Sequence, residues 1–125
     1  MILILDAHAL LWWLRDEPSL DRVARASVAD PANEVAVSAA TVWELAIKRS
    51  AGKITLADDL AAAVEAAGFS GVPVTMVDAE VAAALPPHHR DPFDRVLVAQ
   101  ALRLDAAIVT RDRFLEPYGA PILPA

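Results

Sequence analysis

The sequence predicts one α/β domain: a central parallel sheet with helices on both faces. Three observations carry this reading. Short apolar runs of strand length alternate with longer segments of helical pattern. Two of those helices open on a clear capping residue, Ser38 and Asp91. And 125 residues, 56% hydrophobic and 22% charged, make one ordinary domain with enough apolar material for a core.

Taken in order, residues 2–5 are a continuous apolar run ending at Asp6, the pattern of a buried parallel strand. The run lacks a basic leader and is too short for a bilayer, so it reads as neither signal peptide nor membrane span. Residues 7–14 look helical. Pro18 and Ser19 punctuate, and Ser19 is expected to cap a second helix reaching about residue 29, which Asp30-Pro31 ends. Residues 34–37 read as the second strand. Ser38 then caps a helix running to about residue 51, with Gly52 as its stop. Residues 56–67 form an Ala-rich helix closed by Gly68. Residues 72–77 are expected as the third strand, 78–85 as a short helix and 86–90 as a loop. Asp91-Pro92 opens a strong helix, with Asp as cap and Pro at the first helical position, reaching about residue 104. Residues 106–110 read as the fourth strand and 121–123 as a short fifth. No repeat, linker or boundary interrupts the chain, so residues 1–125 are read as a single domain.

The net charge is −6. That argues against gripping nucleic acid through a broad basic surface. It leaves room for an acidic site whose metal ions meet phosphates. The basic residues also cluster: Lys48, Arg49 and Lys53; Arg90 with Arg95; Arg111 with Arg113. There is no cysteine, hence no disulfide framework and no thiolate zinc site, and a reducing cytoplasm is the expected compartment.

In open α/β sheets, ligand sites lie outside the carboxyl ends of the strands. Asp6 follows the first strand and Asp112 the fourth, while Glu44 and Asp94 lie near helix starts. All four can approach one sheet edge. Each also has a plainer reading. Asp6 fits equally a cap for the helix that follows it. Glu44 precedes Lys48 by four residues, the favourable order for an exposed helix pair, and it lies outside the arc of Val42, Leu45, Ala46 and Ile47. Asp112 suits the cap of a final short turn. Asp94 suits a capping arrangement with Asp91, but it shares its helix face with Leu97, Val98 and Ala101. A carboxylate on an apolar stripe is costly unless paired or coordinating a metal. Clustered carboxylates repel, so together they require counter-charge. Oxygen-only ligands suit Mg²⁺ or Mn²⁺ rather than zinc. Asp21, Asp58, Asp59, Glu65 and Glu80 read as solvated.

His88 and His89 lack helical ligand spacing and read first as surface residues, with substrate contact as the alternative; His8 is similar. Thr110 is placed to orient a water or an acid beside Asp112 or to meet substrate. Trp12, Trp13 and Trp43 suit core or interface. Adjacent Trp12 and Trp13 are not expected to face one core together, which leaves one for a protein partner.

With these residues in place the chain resembles the PIN-domain ribonucleases, specifically the VapC toxins of bacterial type II toxin–antitoxin systems. The resemblance runs through Leu5-Asp6-Ala7-His8-Ala9-Leu10-Leu11-Trp12 and the stretch from Ser38 through Trp43-Glu44 to Lys48. It continues through His89-Arg90-Asp91-Pro92-Phe93-Asp94-Arg95 to Ala101, and closes on Val109-Thr110-Arg111-Asp112. It implies a PIN-like three-layer fold and an acidic quartet of Asp6, Glu44, Asp94 and Asp112. Asp6 and Asp94 would be the principal Mg²⁺ or Mn²⁺ ligands. Ala7 departs from the Thr or Ser often found there, so any hydroxyl role passes to another group. The implied activity is an endoribonuclease in which metal activates a water; two ions, if bound, would lie about 3.5–4 Å apart. Lys48, Arg95 and Arg111, with Thr110, are the expected substrate contacts, and RNA would be read in single-stranded or looped segments. The implied partners are a VapB-type antitoxin and a second copy in a homodimer, with no membrane. Two rivals stand beside this reading. A phosphoaspartate receiver or phosphatase domain also places acids at strand ends, but no lysine follows Lys53. A catalytically inactive PIN-like module would usually have lost some of the acids.

Overall fold

The computed structural model describes residues 1–56 and 59–125, so the expectations for Ala57 and Asp58 lie outside the described residues. The order along the chain is β1 Ile2–Leu5, α1 Ala7–Leu14, α2 Arg22–Ala29, β2 Glu34–Ser38, α3 Ala39–Ser50, α4 Leu60–Ala66, β3 Ser70–Val72, α5 Met76–Ala84, α6 Pro92–Leu104, β4 Ala107–Thr110, a 3₁₀ helix Arg113–Tyr118 and β5 Ile122–Pro124. The strands form one parallel sheet in the order β3-β2-β1-β4-β5.

Side chains alternate across the sheet, and the two sets belong to two cores. Leu3, Leu5, Val35, Val37, Ala107 and Val109 pack under α1, α2, α3 and α4. Ile4, Ala36 and Ile108 face the other way, onto Leu97, Val98 and Ala101 of α6 and Leu115 of the 3₁₀ helix. Helices therefore cover both faces, which is why the central strands read as unbroken apolar runs. Among the described residues no helix is long and apolar enough to cross a membrane.

Three elements depart from the sequence expectation. The third strand is Ser70–Val72, not 72–77. Pro73 carries no N–H for the ladder, and Thr75 and Asp78 close a reciprocal capping box that draws Met76 and Val77 into α5. The second helix starts later, because Asp21 rather than Ser19 caps it and Leu20 is buried in the core. The fourth helix begins at Leu60, capped by Asp59.

Helix α5 is held to α6 by a buried acid. Asp78 is 1% exposed and receives Arg103 Nε at 2.7 Å and Arg103 Nη2 at 3.0 Å. Gln100 Nε2 donates to it at 3.2 Å. The Arg103 hydrogen bonds outweigh burial and hold the Asp78 carboxyl at about 2. Asp78→Ala removes the box and leaves its donors unpaired, so it should cost about 2–3 kcal/mol, read by urea unfolding. Because the folded value lies below the unfolded 3.8, this contribution is present above about pH 4 and lost as pH falls towards 2. A variant whose stability loss is unchanged between pH 7 and pH 2.5 would contradict that assignment.

Candidate metal centre

The sheet order changes direction between β1 and β4: the chain leaves β1 towards β2 and later returns to β4 on the other side. A crevice opens outside the carboxyl ends of the strands at such a point. Asp6 ends β1 there and Arg111-Asp112 follow β4, with the Asp6 N–H donating to Val109 O at 3.1 Å. Glu44 comes in from α3 and Asp94 from the first turn of α6. All four acids line one cleft of about 540 Å³, together with Asp91, His89, Lys48 and Arg111.

Each acid is oriented by its own local structure. Asp6 caps α1, its Oδ1 accepting from Ala9 N at 2.8 Å, while Oδ2 accepts from the Thr110 hydroxyl at 2.6 Å. The same hydroxyl accepts from Asp112 N at 3.0 Å and so ties the two strand ends together. Asp112 caps the 3₁₀ helix through Phe114 N at 2.9 Å. Glu44 pairs with Lys48 at 3.0 Å. The plainer readings of Asp6 and Asp112 as caps and of Glu44 as a helix pair thus hold, and the same side chains line the cleft; the Asp91 N–H goes to His89 Nδ1 and not to Asp94, so α6 has no reciprocal capping box.

The electrostatics mark the centre. Burial pushes the Asp6 carboxyl up, against the Thr110 and Ala9 hydrogen bonds that lower it. Burial, then the neighbouring Asp91 and Glu44 charges, push Asp94 up to about 7. Its helix neighbours Leu97, Val98 and Ala101 are buried, as the wheel anticipates. Among the described residues, ligand atoms of His89, Asp94 and Asp112 lie within 4.8 Å of one another, and the other acids of the cleft add oxygen donors around them. The residues present therefore fit a divalent ion.

The expected substrate contacts divide. Lys48 and Arg111 stand in the cleft wall. Arg111 is also anchored: its guanidinium lies 4.4 Å over Trp12, and it donates to Ala125 O at 2.9 Å and to Ser19 O. Thr110 is buried behind the cleft wall, its hydroxyl donating to Asp6 and accepting from the Asp112 N–H. Arg95 turns away from the cleft, its guanidinium spent on the carbonyls of Ala82, Ala83, Leu85, Pro86 and His89. It needs five acceptors, and the last turn of α5 with the loop after it supplies them. Trp12 and Trp13 both pack on the core, Trp13 against Phe69 at 5.8 Å; the exposed tryptophan is Trp43.

His89, read from sequence as a surface residue or substrate contact, is inside the centre. Its Nε2 lies 2.7 Å from Asp112 Oδ2 and 3.2 Å from Asp94 Oδ2. Its sequence signals are its place two residues before the Asp91 cap and its membership of the His89–Arg95 block of the family resemblance; no periodicity marks a loop residue.

Known proteins share this fold. The PIN domain family model matches residues 3–119. Ribonuclease VapC22 of Mycobacterium tuberculosis is 32% identical, over 94% of this chain and 92% of its own length. Among solved structures, VapBC2 from Rickettsia felis bound to a DNA fragment from its promoter superposes with a TM-score of 0.70 at 14% identity, covering 99% of this chain and 98% of that one. FitAcB from Neisseria gonorrhoeae gives 0.68 at 23% identity, covering 99% and 97%. The fold is that of these proteins, and the chain belongs to the PIN-domain family, in its VapC branch.

Proposed function

We propose that the chain is the toxin of a type II toxin–antitoxin system and acts in the cytoplasm as a metal-dependent endoribonuclease. One observation carries the reading: Asp6, buried, and Asp94, half-buried, are both held above the usual carboxylate range and share a cleft with Glu44 and Asp112. That arrangement is stable when ionised only around a cation. Asp6 and Asp94 hold Mg²⁺ or Mn²⁺, with Glu44 and Asp112 completing the site. A bound ion would lower the pKa of a water and neutralise charge on the scissile phosphate. Thr110 keeps Asp6 and Asp112 in register, and Lys48 and Arg111 meet flanking phosphates on an otherwise acidic protein. The partner is a VapB-type antitoxin, and the toxin forms a homodimer; the antitoxin sequesters the acidic cleft. That VapBC and FitAB complexes share the fold supports this pairing.

Purified protein should cut RNA with Mg²⁺ or Mn²⁺ and stop on chelation. Because water is the nucleophile, a 2′-deoxy substitution at the scissile nucleotide should leave that bond cleavable. Loss of cutting there would overturn the water mechanism. Expression should arrest growth, and Asp6→Ala should relieve the arrest; equal toxicity of this variant would remove nuclease activity as its cause.

A further inference from the structure

We propose that His89 holds the place of a second cation between Asp94 and Asp112, so that the centre takes one divalent ion, on its Asp6–Asp94 side, and not two. The inference rests on the metal-nuclease reading above and settles how many ions that reading needs.

The tautomer is the first argument. His89 Nδ1 accepts from the Asp91 backbone N–H at 3.0 Å. The hydrogen-bond network therefore assigns the ring proton to Nε2. The Nε2–H then donates into the notch between the two carboxylates, 2.7 Å from Asp112 and 3.2 Å from Asp94. A nitrogen that carries a proton has no lone pair for a metal. In this state the imidazole is a donor to the acids and not a ligand beside them.

The second argument is that the ring is placed from outside the acids. The His89 backbone N–H donates to the Tyr118 hydroxyl at 2.8 Å, and its carbonyl accepts from Arg95 Nη1 at 3.0 Å. The Tyr118 hydroxyl in turn donates to Pro86 O at 2.7 Å, and Arg95 Nη1 donates to the same oxygen at 3.1 Å. The ring edge meets Phe114, with centroids 6.1 Å apart. The loop is thus clamped at both ends before any carboxylate contact is counted. This gives Arg95 and Tyr118 a purpose. They are positioning residues that act through His89.

The third argument is exclusion. A Mg²⁺ ion held by both Asp94 and Asp112 would need direct contact with their oxygens. The Nε2–H already fills that notch. Admitting the ion means swinging the ring out and giving up the Asp91 bond. On the Asp6–Glu44–Asp94 side no side-chain N–H is seen between two of the acids among the described residues; Lys48 pairs there with Glu44.

The test counts ions on the full chain by calorimetry and by the electron paramagnetic resonance of Mn²⁺. The expected result is one Mn²⁺ per chain for the natural protein and two for His89→Ala. His89→Gln, which returns an N–H donor at similar reach, should restore one. Long-range ¹H–¹⁵N spectra should show the His89 Nε2 proton retained on saturation with Mg²⁺. Two ions on the natural protein, one ion on His89→Ala with its fold intact, or loss of the Nε2 proton on Mg²⁺ binding would each overturn the proposal. Should His89→Ala fail to fold, the natural protein's count and the imidazole spectrum still decide. No Mn²⁺ bound to the natural protein, or equal binding by Asp94→Asn, sinks the metal reading itself and is a different outcome from two ions bound.

Discussion

Asp94→Asn is expected to lower metal-dependent RNA cleavage by at least about a hundredfold, while raising the thermal stability of the chelated protein at pH 8. Loss of one ligand removes more than the 10–100-fold typical of its outer partners. The gain in stability follows from where the carboxyl sits. Its side chain is 20% exposed, and burial with Asp91 and Glu44 pushes it up to about 7 from 3.8. Between those values the folded protein binds the proton and the unfolded chain does not. Stability of the metal-free protein therefore falls as pH rises from about 4 to 7. Three units would be about 4 kcal/mol; partial solvation leaves about 1–3 kcal/mol. Asparagine removes that charge, so Tm should rise by several degrees at pH 8 and hardly at pH 4.

Proton and metal compete for the same oxygens, which gives the companion measurement. Mn²⁺ affinity should fall as pH drops below 7, approaching tenfold per unit where Asp94 holds one proton. Mg²⁺ should stabilise the natural protein at pH 8 and leave Asp94→Asn unmoved. Undiminished cleavage by the variant, or no stabilisation of the natural protein by Mg²⁺, would remove Asp94 from the site.

The central strands and Asp94 were legible in the sequence for one reason: each is a matter of periodicity. β1, β2 and β4 are covered on both faces, so they read as apolar runs, and Asp94 stands out against a regular helical stripe. Glu44 gave no such signal, because its partner Lys48 makes it look like any exposed helix pair, and much of its assignment, like that of Asp112, came from the family resemblance. The third strand was misplaced because it lies at the sheet edge, and its neighbour α5 inverts the usual pattern. There Met76, Val77 and Val81 face solvent while Asp78 is buried. His89, Arg95 and Tyr118 were out of reach for another reason. Their roles depend on backbone groups of a turn, which carry no side-chain pattern.

Thr110→Val is expected to weaken Mn²⁺ binding by about 10–100-fold without touching any ligand. Valine keeps the shape of the buried side chain, so packing between β1 and β4 survives. What disappears is the hydroxyl that donates to Asp6 at 2.6 Å and accepts from Asp112 N at 3.0 Å. Asp6 Oδ2 and the partly buried Asp112 N–H both lose this partner, at about 1–3 kcal/mol for a buried group. Asp6 also loses the strongest interaction opposing its desolvation, so its carboxyl moves further up. The ionised form needed by metal is then reached only at higher pH. Metal binding and cleavage should both shift their acid limb towards alkaline pH, which a merely looser fold would not do. Thr110→Ser, which returns the hydroxyl but not the methyl, should recover most of the affinity and the natural limb. A valine variant with the natural limb and affinity would show that Asp6 and Asp112 do not depend on one another, and that the ends of β1 and β4 hold them separately.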